Sequence, residues 1–224
     1  MVTRNNGREP APIAERLADR LTAAPAQHRS TAARFLHELG DVDLAVYRSV
    51  AATPTPLLDG PMRRLSGAAN HSMLWLLVAA GMSAFGGRTV RRAAGAGVAA
   101  IAVNSAVVNL PIKAAAHRVR PDRDSALVPP SRRIPMPMST SFPSGHSASG
   151  FAFANAVGAT VPAAGLPLRM LACAVGYSRV HTGVHYPGDV IVGAMVGATL
   201  GEAVGWALAR RPAGRRALRP RPRR

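Results

Sequence analysis

Residues 190–208 read VIVGAMVGATLGEAVGWAL, a run with one acidic side chain, Glu202, and no basic one. As a helix it would extend about 28 Å at 1.5 Å per residue, close to the ~30 Å hydrocarbon layer of a bilayer. Residues 210–224 follow with eight arginines, three prolines and one glycine, which predicts a disordered basic tail. A basic end on an apolar helix is the pattern of a span whose charged end stays in the cytoplasm.

Working back from this helix, apolar segments recur at 168–177, 148–166, 93–112 and 72–85. Together they predict an all-α helical bundle, integral to the membrane, with about five to six spans. The many Ala and Gly residues favour close helix packing. The link between the first two apolar helices carries Arg88, Arg91 and Arg92 and is assigned to the cytoplasm. Alternation then places the end of the second helix, the start of the third and the end of the fourth on the outer side, and the tail inside.

The preceding 70 residues differ in character. Residues 12–39 predict two short amphipathic, interfacial helices separated at Pro25, while TPTP at 53–56 and the Asp59-Gly60-Pro61 turn signal predict an irregular stretch with short helical pieces over 41–65. The expected organisation is an interfacial segment over 1–70, a catalytic bundle over 71–209 and the tail over 210–224. Met1 is followed by a polar stretch and no apolar core, so no signal peptide is expected. Cys173, the sole cysteine, excludes disulfides within the chain and cysteine-based metal sites, and its apolar setting MLACAVG predicts a buried small hydrophobe.

The chain has 28 basic and 11 acidic residues, a net charge of +17, and Lys113 is its single lysine. A lone ammonium in an arginine-biased chain points to a role that a guanidinium does not copy, such as a compact point donor to phosphate. Lys113 and Arg120 share one face if the second apolar helix continues, with His117 on the same face; Pro121 ends the element. His117 and Arg118 are read as structural or rim residues. A second motif, SFPSGHSASG, precedes the third apolar helix: Pro143 suits the first helical position, Gly145 allows close approach to free backbone N–H groups, and Ser144 and His146 stand beside them. In the third, SRVHTGVHYPGD, His185 and Asp189 are four apart across a Pro-Gly turn. The carboxylate can orient the imidazole and leave Nε2 free to attack.

The ordered pattern K-x6-R-P, P-S-G-H and S-R-x5-H-x3-D resembles the type 2 phosphatidic acid phosphatase superfamily, which includes membrane lipid phosphatases, bacterial acid phosphatases and vanadium haloperoxidases. The stretches LLDGPMRRLSGAANHSMLW and SRRIPMP look like actinobacterial members of the lipid phosphatase branch. The resemblance implies that His185 attacks phosphorus with Asp189 holding its ring. Lys113, Arg120, Ser144, Gly145 and Arg179 would bind the phosphoryl oxygens, and His146 would serve as acid and then base. It implies neither metal nor other cofactor. Asp122 and Asp124 are read as loop residues, too few for a metal site.

A lipid phosphate or diphosphate at an outer membrane face is the expected substrate, and membrane lipids the expected surroundings. Head-group selection is placed in the loop over 122–142, with Arg132 and Arg133. Two other readings are a vanadium-dependent haloperoxidase and a non-catalytic basic protein binding membrane or nucleic acid. The arginine tail has no aromatic residue for base stacking, so no nucleic-acid partner is expected.

Overall fold

The structure is a computed structural model that describes residues 31–210; the expectations for residues 1–30 and for the tail beyond Arg210 lie outside them. Two compact units divide the chain, residues 1–42 and 43–224. The boundary falls inside the first described helix, α1 (Thr31–Ala52). In the first unit, the described part of α1 exposes Phe35 and Leu39.

The second unit is helical, with no strand among the described residues. After α1 come α2 (Pro56–Ala68), a 3-10 turn (Asn70–Ser72), α3 (Met73–Phe85) and α4 (Arg88–Val107). The last of these runs on through a π turn (Val108–Ile112) into one α turn (Lys113–Ala115). Then come α5 (Gly145–Gly158), α6 (Pro162–His181) and α7 (Pro187–Ala209).

Helix α5 is the axis of the bundle and packs against α4, α6 and α7. Its residues 147–150 and 152–157 are all buried, and most are Ala, Ser or Gly, which allows neighbours on several sides. Against α7 the fit is backbone to backbone. A Cβ added at Gly193, Gly197 or Gly201 would meet the carbonyl oxygens of Ser144, Ala148 and Ala152 in turn, and one at Gly205 would meet the Ala156 backbone. Two stripes with a four-residue period therefore face each other. On the far side, Trp75 of α3 and Phe153 of α5 pack at 5.6 Å between ring centres, within a core that includes Ala93, Ala94, Val157 and Val175.

Several boundaries differ from expectation. The stretch over 41–65 is not irregular: α1 continues to Ala52, and the TPTP segment is a short turn that seats Pro56 at the start of α2. Leu44, Tyr47 and Ala51 lie on one helical face and pack with Val128, Val180 and Tyr186, so burial outweighs the turn signals. The break between the third and fourth apolar helices falls at 159–161 and not after Leu166. Pro162 opens α6, while Pro167 lies inside it. The second apolar helix does not reach Arg120. Pro111 lacks an N–H, the helix widens into the π turn there, and the chain becomes extended at Ala116. Cys173 is exposed on α6, not buried.

By length and apolarity, α7 alone among the described helices qualifies as a straight span. The helices of residues 56–68 and 70–85 qualify together as a pair bent by 66°.

Candidate active site

Lys113 sits at the end of the α4 extension and Arg120 in the extended segment after it, so the two converge because the chain leaves the helix, not because they share a helical face. His117 consequently has no helical register with Lys113. Ser139 ties the two cations together: its hydroxyl accepts from Lys113 Nζ at 3.4 Å and from an Arg120 terminal nitrogen at 3.2 Å, and its carbonyl accepts from Arg120 Nε at 2.8 Å. A further Arg120 nitrogen donates to the Val184 carbonyl at 2.7 Å and lies 3.3 Å from His185 Nε2.

Helix α5 begins beneath this pair. Ser144 is its N-cap and Gly145 its first residue, two positions later than Pro143 would have suggested, and the Ser144 hydroxyl accepts from the Ser147 amide at 3.5 Å. Ser144 N–H donates to the Asp189 carbonyl at 2.9 Å, joining the second and third motifs through their backbones. At Gly145 the nearest atom to an added Cβ is Lys113 Nζ at 3.8 Å. The open backbone at the helix start therefore faces an ammonium, the arrangement that favours an anion.

His185 lies in the loop between α6 and α7 and is 2% exposed. Its Nδ1 lies 3.4 Å from an Asp189 carboxylate oxygen, which also accepts from the Tyr186 amide at 2.9 Å and from the Ser141 hydroxyl. The other Asp189 oxygen accepts from Arg118 at 2.8 Å. Asp189 is fully buried at the third position of α7, so it caps that helix and orients the histidine at once. With Nδ1–H turned to the carboxylate, the Nε2 lone pair faces Arg120. Burial pushes the His185 pKa down to about 4. The Asp189 hydrogen bond opposes that shift and the Arg120 guanidinium adds to it.

Arg179 is also wholly buried. One terminal nitrogen donates to the Ser66 hydroxyl at 2.7 Å and to the Ser66 carbonyl at 3.2 Å. Its Nε and other terminal nitrogen have no hydrogen-bond partner among the described residues. Buried guanidinium donors without partners are costly, which suits a group that binds an anion.

Lys113, Arg120, Gly145, His146 and His185 line one cavity of ≈ 440 Å³, with Leu76, Ile101 and Pro137 among its apolar lining. Ser144, Arg179 and Asp189 do not line it; they stand behind those that do. Of the loop expected to select the head group, Pro137 and Ser139 reach the cavity. Arg132 and Arg133 are engaged elsewhere, with Asp59 and Asp124 respectively, each at 2.8 Å or less. No cluster of three or more His, Cys, Asp or Glu groups suited to a metal occurs among the described residues.

Residues 93–212 match the PAP2 superfamily. A decaprenylphosphoryl-5-phosphoribose phosphatase of Mycobacterium tuberculosis is 34% identical over 166 residues, 74% of this chain and 89% of that one. The chain belongs to the PAP2 superfamily. A transmembrane PAP2-type phosphatidylglycerolphosphate phosphatase from Bacillus subtilis shares the fold, with a TM-score of 0.62 over 90% of this chain and 98% of that one, at 22% identity. LpxE from Aquifex aeolicus gives 0.57 over 73% and 94%, at 25% identity.

Some members of this PAP2 site escape a motif reading. Arg118, read as a rim residue, bridges Asp189 to Asp43 and lies 4.2 Å from the Tyr186 ring centre. Asp43 also accepts from the Gly188 amide at 2.6 Å. Ser66, Ser139, Ser141 and Asn70 complete the set. Ser139 and Ser141 lie in a loop, Asn70 in the 3-10 turn and Ser66 as a single polar residue within α2, so none stands out as a motif and only proximity in space reveals these four.

Proposed function

We propose that this protein is a metal-independent lipid phosphate phosphatase that works through a phosphohistidine on His185. That it is a phosphoric monoester hydrolase rests on its family. The carrying observation for the finer reading is the orientation of His185, with Nδ1 backed by Asp189 and Nε2 facing the cation that lines the cavity.

In the first step Nε2 attacks phosphorus, the bond from phosphorus to the leaving oxygen breaks, and His146 gives that oxygen a proton. Lys113, Arg120, Arg179, the Ser144 hydroxyl and the Gly145 amide stabilise charge on the three equatorial oxygens. Water then attacks the phosphohistidine and His146 takes its proton, releasing inorganic phosphate and free His185. These cations perform the neutralisation that a metal would otherwise supply, so no cofactor is assigned.

For the substrate we favour a polyprenyl-linked phosphopentose, because the relative named for such a substrate matches most of both chains. The cavity lining has the needed mixed character, with the cations Lys113 and Arg120 and the apolar Leu76 and Ile101. The bundle is read as spanning the membrane several times, with the site at the extracytoplasmic end. The test uses purified full-length chain in detergent, with phosphate release measured from polyprenyl-phosphoryl pentose 5-phosphate, phosphatidic acid and phosphatidylglycerol phosphate. Turnover should persist in EDTA, stop with vanadate and be fastest on the pentose lipid. Loss of turnover on chelation, restored by a divalent ion, would overturn the mechanism; preference for a glycerolipid would overturn the substrate.

A further inference from the structure

The turn Asn70–Ser72 belongs to none of the three motifs, yet it forms a wall of the cavity. His71 and Ser72 line it together with His146 and His185. The side-chain oxygen of Asn70 lies 3.0 Å from His146 Nε2. Two successive residues of the turn are left-handed, His71 at φ 51°, ψ 27° and Ser72 at φ 59°, ψ 15°. Neither is glycine, and L residues rarely adopt such conformations. They persist where the surroundings determine them. Here Ala69 before the turn and Trp75 after it are 2% and 1% exposed within the main core. The turn is thus clamped at both ends, and its Asn70 carbonyl is presented to one histidine.

An amide oxygen only accepts, so the ring nitrogen it meets carries the proton. We propose that Asn70 is the positioning residue of His146. Its carbonyl holds the proton on Nε2 and fixes the ring plane beside Lys113 and Arg120. The arriving leaving-group oxygen, a second neutral acceptor, shares the Nε2 proton with the Asn70 carbonyl, which therefore still holds the ring plane as the proton moves. The substrate arrives as its phosphate monoanion and gives its proton to Nδ1, so the ring enters the first step as imidazolium beside the phosphate dianion that balances its charge. As the bond to phosphorus breaks, the leaving oxygen takes the Nε2 proton and the ring becomes neutral; the attacking water later returns a proton to Nε2. This rests on the reading of His146 as the acid and base of the reaction.

The deciding measurement is kcat/KM of the full-length chain in detergent on two substrates, a prenyl phosphate, whose alkoxide must be protonated to leave, and p-nitrophenyl phosphate, whose phenolate leaves without a proton. Asn70→Ala should lower the value for the alkyl phosphate about tenfold or more and that for the aryl phosphate about threefold or less. Inhibition by vanadate should be unchanged, since the cage is intact. Asn70→Ser, which keeps an acceptor oxygen, should fall between wild type and Ala on the alkyl phosphate and serves in place of Ala if that variant does not fold. His146→Ala should show the same discrimination more strongly. An equal loss on both substrates, or none, in the Asn70 variants, while His146→Ala still discriminates, would overturn the role of Asn70 alone. Failure of His146→Ala to discriminate would overturn the acid–base reading beneath it.

Discussion

His185 is held between opposing influences: burial and Arg120 favour the neutral ring, and Asp189 favours the charged one. With the folded pKa at about 4, below the ordinary 6.5, the ring proposed as nucleophile is neutral throughout the physiological range. A profile of kcat/KM against pH should therefore show no His185 bend near 6.5. The ionisation of the substrate phosphate near 6 should remain, and the nucleophile's acid limb should lie near 4. Asp189→Asn removes the upward influence, so that limb should move to still lower pH while the plateau falls; an unmoved limb would refute the pairing. The same depression has a stability counterpart. The folded state binds fewer protons than the unfolded state between about 6.5 and 4, so stability is lost as pH falls through that window. Arg118 is open to a sharper test, because it stands between two carboxylates. Arg118→Met should lower kcat at least about tenfold by leaving Asp43 and Asp189 to repel, each lost charged hydrogen bond being worth ~1.5–3 kcal/mol. Adding Asp43→Asn should restore part of that rate, with a coupling of ~0.5–3 kcal/mol. Purely additive losses would show that Arg118 does not act on Asp189 through this chain of charges.

At the scale of elements, the spacing between the second and third motifs is set by the glycine stripe of α7 against α5. Gly193 lies against the Ser144 carbonyl, and the Ser144 amide in turn donates to the Asp189 carbonyl. Gly197→Val places a branched side chain on the Ala148 backbone one turn further in. It should force the helices apart, lower Tm by several degrees, as ~1–3 kcal/mol of overpacking implies, and reduce kcat more than KM. A variant with native Tm and native kcat would show that this contact is not tight. The stripe was visible in the sequence only as general smallness, because a four-residue glycine period does not name its partner helix. The helices of the bundle were legible, since apolar runs mark them directly; the eight motif residues were named from spacing and family resemblance, and the fold brings Lys113, Arg120, Gly145, His146 and His185 to one cavity with the other three behind it. The geometry between Lys113 and Arg120 was misread for a local reason: Pro111, two residues before Lys113, is the sign that a regular helix ends there. The helical stretch over 41–65 was missed for the opposite reason: Pro56 opens α2, Gly60 and Pro61 are tolerated inside it, and the face that buries Tyr47 and Ala51 carries α1 as far as Ala52.

Across the whole second unit, the outward faces argue for surroundings that are not water. Leu77 and Phe85 of α3, Leu166 and Met170 of α6, and Ile191 and Met195 of α7 are all more than half exposed. A soluble bundle turns polar side chains outward on helices, whereas these turn large apolar ones. The net charge of +17 includes the basic tail beyond α7, which suits an anionic cytoplasmic leaflet. Cys173, exposed midway along α6 and the sole cysteine, makes the protein its own probe. In sealed membranes it should resist a charged maleimide and react with a membrane-permeant one, because a thiol facing lipid meets neither water nor a hydrated reagent. Sidedness follows from two single-cysteine variants built on Cys173→Ala. Met138, fully exposed in the loop before α5, lies at the active-site end, and Thr89, exposed in the first turn of α4, lies at the other end. Met138→Cys should be labelled by the charged reagent on intact cells, and Thr89→Cys only after the cells are opened. Labelling of Cys173 itself by the charged reagent in intact membranes would remove α6 from the bilayer. Labelling of Thr89→Cys but not Met138→Cys on intact cells would turn the active site to the cytoplasm.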